Sequence, residues 1–340
     1  MRGDVSPGWP HEGDSRGRPE AGGAKRGVLA GGGSVCDLDA LDAPDIGAVL
    51  DTSESMAEVL CRPIPRVPAL RGRTVMLLFY EASTRTRHSF ELACKALGAD
   101  SLTLSAATSS VAKGESLRDT MRTAAAMGAD LVVLRHPASG AAHYAAALGL
   151  VPVLNAGDGT HAHPTQALLD LFAVRRRTGR LEGLRVCIVG DILHSRVARS
   201  SAAAFVKMGA ALTLCGPPTL LPRAAGPALG AAVEYDLGAA LRGADVVMVL
   251  RLQHERHDDG AGGLPSLGEY RRGWGIDAGR LLRHCPGALL LHPGPVNRGA
   301  ELSDEVLDLP GAVVQDQVAA GVAVRMALLY RILEGGRGAE

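Results

Sequence analysis

Two arginines and three hydroxyls stand together in Ser83-Thr84-Arg85-Thr86-Arg87, with no acid among them. They lie between an apolar run, residues 75–80, and a helical pattern that starts near Phe90. A strand that turns into a helix presents free N–H groups and a positive dipole end, a ready anion site. Ser83 or Thr84 can cap such a helix. A guanidinium adds two parallel donors suited to phosphate. Residues two apart face different sides of a helix, so one of Arg85 and Arg87 faces the anion and the other braces the fold.

Similar groups recur along the chain. Arg135 and His136 end the apolar run Leu131–Leu134, and Lys113 lies in a polar loop with Ser109. His163 and Gln166 are one helical turn apart, so both can face one point. A neutral or protonated His163 suits polarisation of a carbonyl better than metal binding. His161 and His163 have no acid at ligand spacing and no third ligand nearby, so no metal is expected. Arg196 follows Val189-Gly190-Asp191, which lacks G-x-G-x-x-G and therefore excludes a dinucleotide fingerprint. Arg251 and Gln253 follow another apolar run, and Pro293, Gly294, Pro295 and Arg298 follow a third. Prolines fix φ and hold backbone carbonyls still. Each fragment alone reads as a structural turn. Together they suit a cleft for small, multiply anionic substrates.

The elements needed to position these groups alternate as strand and helix, the rhythm of buried parallel sheets. The pattern breaks after Arg175, Arg176, Arg177 and Gly179, where basic residues and a glycine signal a helix end. It restarts near Leu181. The expectation is α/β: two doubly wound parallel-sheet domains, residues 35–165 and 180–316, with a last helix at about 317–335 packing back on the first. Residues 1–34 read as a disordered tail without the apolar core of a secretory signal. The segment from Asp39 reads as helical with an interruption at Pro44.

Composition excludes other classes. Lys plus Arg equals Asp plus Glu at 36 each, and aromatics are 3%, which argues against nucleic acid. No apolar run reaches membrane-spanning length. Six scattered cysteines without a CxxC pair suggest reduced thiols and a cytoplasmic protein.

The motifs STRTR, AKGES, RHP, NAGDG…HPTQ, GD…SR, RLQ.ER and HPGPVNRG, in this order, resemble the aspartate and ornithine carbamoyltransferase superfamily over nearly the whole chain from Leu38. The last two are similar to its aspartate branch. The SMG and HCLP motifs of the ornithine branch do not occur. The resemblance implies two domains around a cleft, a homotrimer with shared active sites, and no cofactor. It implies that Ser83, Thr84, Arg85 and Thr86 bind the phosphate of carbamoyl phosphate. Arg135 and His163 would contact its carbonyl oxygen, Gln166 its amino group, and the carbonyls of Gly294 and Pro295 would assist. Ser109 and Lys113 would reach a neighbouring subunit's site. Arg196 and Arg251, supported by Gln253, would bind the carboxylates of L-aspartate. A regulatory chain or dihydroorotase is a possible partner. Transfer to ornithine, or a non-catalytic anion-binding role, are the rival readings. Ala82 replaces a proline common in the family, and Ile192-Leu193 stand where some relatives carry a lysine.

Overall fold

A computed structural model describes residues 29, 33–105, 115–252 and 265–335. Helix α1 (Ala43–Leu60) leads to β1 (Thr74–Phe79), α2 (Thr84–Leu97), β2 (Asp100–Ser105), α3 (Leu117–Ala126), β3 (Leu131–His136), α4 (Ala141–Ala147), β4 (Val153–Asp158) and α5 (Pro164–Thr178). A second series follows: β5 (Arg185–Val189), α6 (Arg196–Lys207), β6 (Ala211–Cys215), α7 (Ala225–Leu229), β7 (Ala232–Glu234), α8 (Leu237–Leu241), β8 (Val246–Val249), α9 (Leu267–Trp274), α10 (Ala278–His284), β9 (Leu289–Leu291) and α11 (Val314–Gly335).

Both sheets are parallel. The first has the order β2-β1-β3-β4 and the second β7-β6-β5-β8-β9. Strand order therefore reverses between β1 and β3 in one sheet and between β5 and β8 in the other. Ligands of open α/β sheets sit beyond the carboxyl ends of strands at such switch points. β1, β5 and β8 are almost wholly buried, as near-continuous apolar runs in parallel sheets require, and β4 is wholly buried although it carries Asn155 and Asp158.

One apolar core runs from the first sheet to the second through α5, α6 and α11, and a smaller core covers the far face of each sheet. α11 packs on α1, α2 and α5, and α5 packs on α6. Gly98 and Gly179 end α2 and α5 in left-handed conformations, φ 75° and 74°, at the stops read from sequence.

Other expectations need correction. Pro44 lies in the first turn of α1, where its missing N–H costs nothing, and does not interrupt the helix. Leu29, assigned to the tail, is buried in the core, and Ser34 Oγ accepts a hydrogen bond from Val153 N at 2.9 Å. The short elements α7, β7, α9 and α10 were not foreseen.

Gly190 ends β5 with φ 135°, and a Cβ there would come within 2.9 Å of Leu250 Cβ. Gly190→Ala is expected to destabilise the fold by about 1–3 kcal/mol. A urea midpoint equal to wild type would refute this.

Candidate active site

The first switch point carries the STRTR turn at the end of β1 and Arg135 at the end of β3. The second carries Arg196 after β5 and Arg251 after β8. Ser83 occupies the N-cap of α2 in extended conformation, but its side chain makes no capping bond. Capping by Ser83, one of the two readings, is therefore corrected, and the helix N-terminus keeps free N–H donors. Thr84 and Arg85 are exposed, while Thr86 is buried. Arg87 lies 3.7 Å from Glu91 on the same helix, the bracing role. Arg85 projects toward the other domain. A methyl group at Gly294, φ 62°, would come within 3.1 Å of its guanidinium. Gly294 is half-buried and Pro295 exposed.

Glu81, directly before the cluster, joins the two switch points. Its Oε2 lies 3.3 Å from Arg135 Nε and accepts a hydrogen bond from Arg196 Nη2 at 2.9 Å. Arg135 Nη1 also donates to Ala156 O at 3.3 Å, and Arg196 Nη1 to Gly159 O at 3.2 Å. Gly157, φ 116°, lies between them, and a Cβ there would meet both guanidinium groups at 3.2 to 3.4 Å.

His163 is the N-cap residue of α5 and is buried. Its backbone N–H donates to Ser200 Oγ at 2.8 Å, and its Nδ1 lies 3.4 Å from Thr165 Oγ1. Burial, then the charges of Arg135, Arg196 and Arg325, hold the imidazole well below the usual histidine range. The neutral form is therefore selected from the two alternatives left open. One ring nitrogen can accept from Thr165 while the other donates.

Gln166 lies one turn on, but its Nε2 donates to Asp170 Oδ1 at 2.9 Å. Asp170 also accepts from Gln317 Nε2 at 2.7 Å and Ser201 Oγ at 3.1 Å. Gln317 in turn accepts from the backbone N–H of His292 at 2.9 Å. Gly294 N donates to His292 Nδ1 at 2.9 Å, and Asn297 Nδ2 to Leu252 O at 3.0 Å, beside half-buried Arg251. One chain of contacts thus runs from Gln166 through α11 to the loop after β9.

Glu81, Asp170, Gln317 and Ser200 were missed by sequence reasoning. Asp170 carried a signal, an acid inside Leu168-Leu169-Asp170-Leu171-Phe172. Glu81 also did, as the acid at the edge of a cationic cluster. Ser109, Lys113 and Gln253 lie outside the described residues. The two histidines of His161-Ala162-His163 part company. His161 Nδ1 is 3.1 Å from Asp158 Oδ2, away from the arginines. Two open grooves of about 500 Å³ lie on the second domain around α9 and α10, and contain none of the strand-end arginines.

Two parallel-sheet domains that direct arginines from both switch points toward one buried imidazole define an α/β protein with a cluster of cationic groups at the domain junction. Residues 34–176 match the family described as aspartate/ornithine carbamoyltransferase, carbamoyl-P binding domain, and residues 182–332 its Asp/Orn binding domain. The chain belongs to the aspartate/ornithine carbamoyltransferase family. It is 55% identical to the aspartate carbamoyltransferase catalytic subunit of Pelotomaculum thermopropionicum over 90% of this chain and 98% of that one. It is 54% identical to that of Salinispora arenicola, over 87% and 96%. The catalytic subunit of M. Jannaschii aspartate transcarbamoylase aligns at TM-score 0.78 and 34% identity, over 90% and 99%. The Trypanosoma cruzi enzyme in complex with N-(phosphonacetyl)-L-aspartic acid aligns at 0.80 and 30%, over 90% and 97%.

Burial pushes the Asp170 carboxyl up to about 7, against the lowering effect of its hydrogen bonds and of Arg325. The native state then binds the proton more tightly than the unfolded chain. This favours folding at low pH and is lost as pH rises from about 4 to about 7. His163 acts oppositely: below about 6.5 only the unfolded chain protonates it, so stability falls with acid. Asp170→Asn is expected to remove the first dependence and gain stability relative to wild type between pH 5 and pH 8. Parallel stability curves, from urea midpoints at both pH values, would contradict the shift.

Proposed function

We propose that the chain transfers the carbamoyl group of carbamoyl phosphate to the α-amino group of L-aspartate, releasing N-carbamoyl-L-aspartate and phosphate. The observation that carries this reading is the buried, neutral His163 beside Arg135 and Arg196. Its relatives bear the corresponding name along nearly their full length.

In this reading the N-terminus of α2 and Ser83, Thr84, Arg85 and Thr86 receive the phosphate. Arg135, His163 and Thr86 donate to the carbamoyl oxygen, and Gln166 accepts from the carbamoyl amino group with its free oxygen. The Gly294 and Pro295 carbonyls assist. Arg196, Arg251 and Gln253 hold the aspartate carboxylates. The amine attacks the carbamoyl carbon, a tetrahedral oxyanion forms, and the C–O bond to phosphate breaks. The amine proton leaves with the departing phosphate or with solvent. A neutral imidazole suits this step, because it donates a hydrogen bond without repelling the flanking arginines. One such donor is worth about 3–4 kcal/mol of barrier, and orientation of the two substrates up to roughly 7–11 kcal/mol. Glu81 sets the orientation of Arg135 and Arg196 together. No described residue cluster at this site is needed to hold a cofactor.

The chain works as a cytoplasmic homotrimer in pyrimidine synthesis, with residues 35–165 and α11 binding carbamoyl phosphate and residues 180–316 binding aspartate. Ser109 and Lys113 complete a neighbour's site. A regulatory chain or dihydroorotase is a compatible partner.

Parallel assays with aspartate and with ornithine test the acceptor. Carbamoyl transfer is expected with aspartate only. Transfer to ornithine alone would replace the reading, and transfer to neither would make the chain an anion-binding protein.

Sharing of the site is tested by complementation. Lys113→Ala and His163→Ala chains, each inactive, are dissociated, mixed and reassociated. Some interfaces then join an intact Lys113 to an intact His163. Random mixing in a trimer with independent sites should restore activity to about one quarter of the wild-type sites, when the two chains are equimolar and Lys113 acts across the interface. No recovery after verified mixing would return Lys113 to its own subunit.

A further inference from the structure

Asp37, His143 and His161 come from three separate segments: the residues that run beside β4, helix α4, and the β4–α5 turn. Asp37 Oδ2 lies 2.9 Å from His143 Nε2. The rings of His143 and His161 meet edge to face, 5.3 Å between centroids. One ligand atom from each of the three residues lies within 4.8 Å of the other two. Sequence spacing concealed this set, because the acid is 124 residues from His161 and His143 is 18 from it. The absence of a third ligand beside His161 is therefore corrected in space.

A second observation concerns His161. Its Nδ1 lies 3.2 and 3.1 Å from the two oxygens of Asp158, a carboxylate with no exposure. Asp158 is itself held by donors from Gly140 N, Asn155 Nδ2 and Ala162 N at 2.7, 2.8 and 3.1 Å. A fixed carboxylate on one ring nitrogen sets the tautomer and turns the other nitrogen outward as a ligand, the arrangement behind metal-bound histidines. Nothing in the carbamoyl-transfer reading uses these residues. His163, two positions on, is buried on the other side among Arg135 and Arg196.

We infer that Asp37, His143 and His161 form a binding site for a divalent transition-metal ion of the Zn²⁺ class, with Asp158 orienting His161. Two imidazole nitrogens and one carboxylate oxygen suit Zn²⁺, whereas Ca²⁺ and Mg²⁺ select all-oxygen sets. Bonds of about 2.0–2.2 Å bring tetrahedral ligands to roughly 3.3–3.6 Å from each other, a side-chain adjustment from the present spacing. Water completes the coordination. The ion ties the segment at Asp37 and helix α4 to the turn that presents His163, so it acts as a clamp behind the anion site. The competing arrangement is a plain ion pair of His143 with Asp37, which needs no metal.

The test uses the full-length chain after chelator treatment, titrated with Zn²⁺ in competition with a chromophoric chelator. Wild type and Cys61→Ser, which removes the one exposed thiol among the described residues, are expected to bind one Zn²⁺ per chain. His143→Ala, at a half-exposed position that the fold does not depend on, is expected to lose this ion, as is His161→Ala. Asp158→Asn should weaken it about 10- to 100-fold. Zn²⁺ should raise the melting temperature of wild type and leave that of His143→Ala unchanged. No saturable Zn²⁺ binding by wild type, or the same stoichiometry and affinity in His143→Ala, would overturn the site.

Discussion

Three guanidinium groups, on Arg135, Arg196 and Arg325, act on one buried imidazole, and two of them belong to wholly buried residues. Like charges withdrawn from water repel strongly, and each carries a desolvation cost of several kcal/mol. Such a cluster persists only with acids placed inside it. Glu81 supplies one, shared between Arg135 and Arg196 at 3.3 and 2.9 Å. Asp170 supplies the other, below Gln166. Burial pushes Arg325 down to about 10, and Asp170 opposes that shift. The consequence for His163 is direct. A second proton would add a cation to an already cationic, dry site, so the ring stays neutral. The cationic character of the site and the protonation state of its histidine thus follow from one imbalance of charge.

Topology makes that imbalance possible at small cost in backbone strain. Parallel strands end their hydrogen-bonded ladders on the same edge, so residues far apart in sequence emerge side by side. β1 and β3 are neighbours, which sets Glu81 near Arg135. The second sheet faces its own switch point toward the first, which brings Arg196 within reach of Glu81. Helices α2, α5 and α6 begin immediately beyond these strand ends, at Thr84, Pro164 and Arg196. Their N-termini add partial positive charge at the same edge. The aliphatic cores behind the strands leave these polar ends little freedom to move.

Local patterns made much of this legible in the sequence. The apolar runs gave the strands, the glycines after Leu97 and Thr178 gave helix ends, and the arginines at strand ends gave the cationic edge. Arg135, His163, Arg196 and Arg251 all lie where a strand gives way to a loop or helix. What stayed hidden was partnership across distance. Nothing local joins Glu81 to Arg196, Asp170 to Gln317, or Asp37 to His161, because each pair is made by tertiary packing alone. Gln166 shows the same limit. Its helical register was clear, but the direction of its amide depends on an acid one turn further. α7, α9 and α10 have too few residues to show a hydrophobic period.

The link from Gln166 to the loop after β9 assigns a role to α11 beyond packing. Gln317 in the first turn of α11 spends its amide N–H on Asp170 and its carbonyl on the backbone of His292. The His292 ring then receives Gly294 N, which fixes the glycine beside Arg85. The middle of this path, from Asp170 through Gln317 to the backbone of His292, is buried, and its ends at Gln166 and Gly294 are half-buried. Losing one partner would strand another at a cost of about 1–3 kcal/mol. A buried path of this kind is rigid because its alternatives are expensive. It therefore holds the amide of Gln166 and the Gly294 loop in one fixed relation, although they belong to different domains. The last helix of the chain thereby sets the spacing of the two halves of the site.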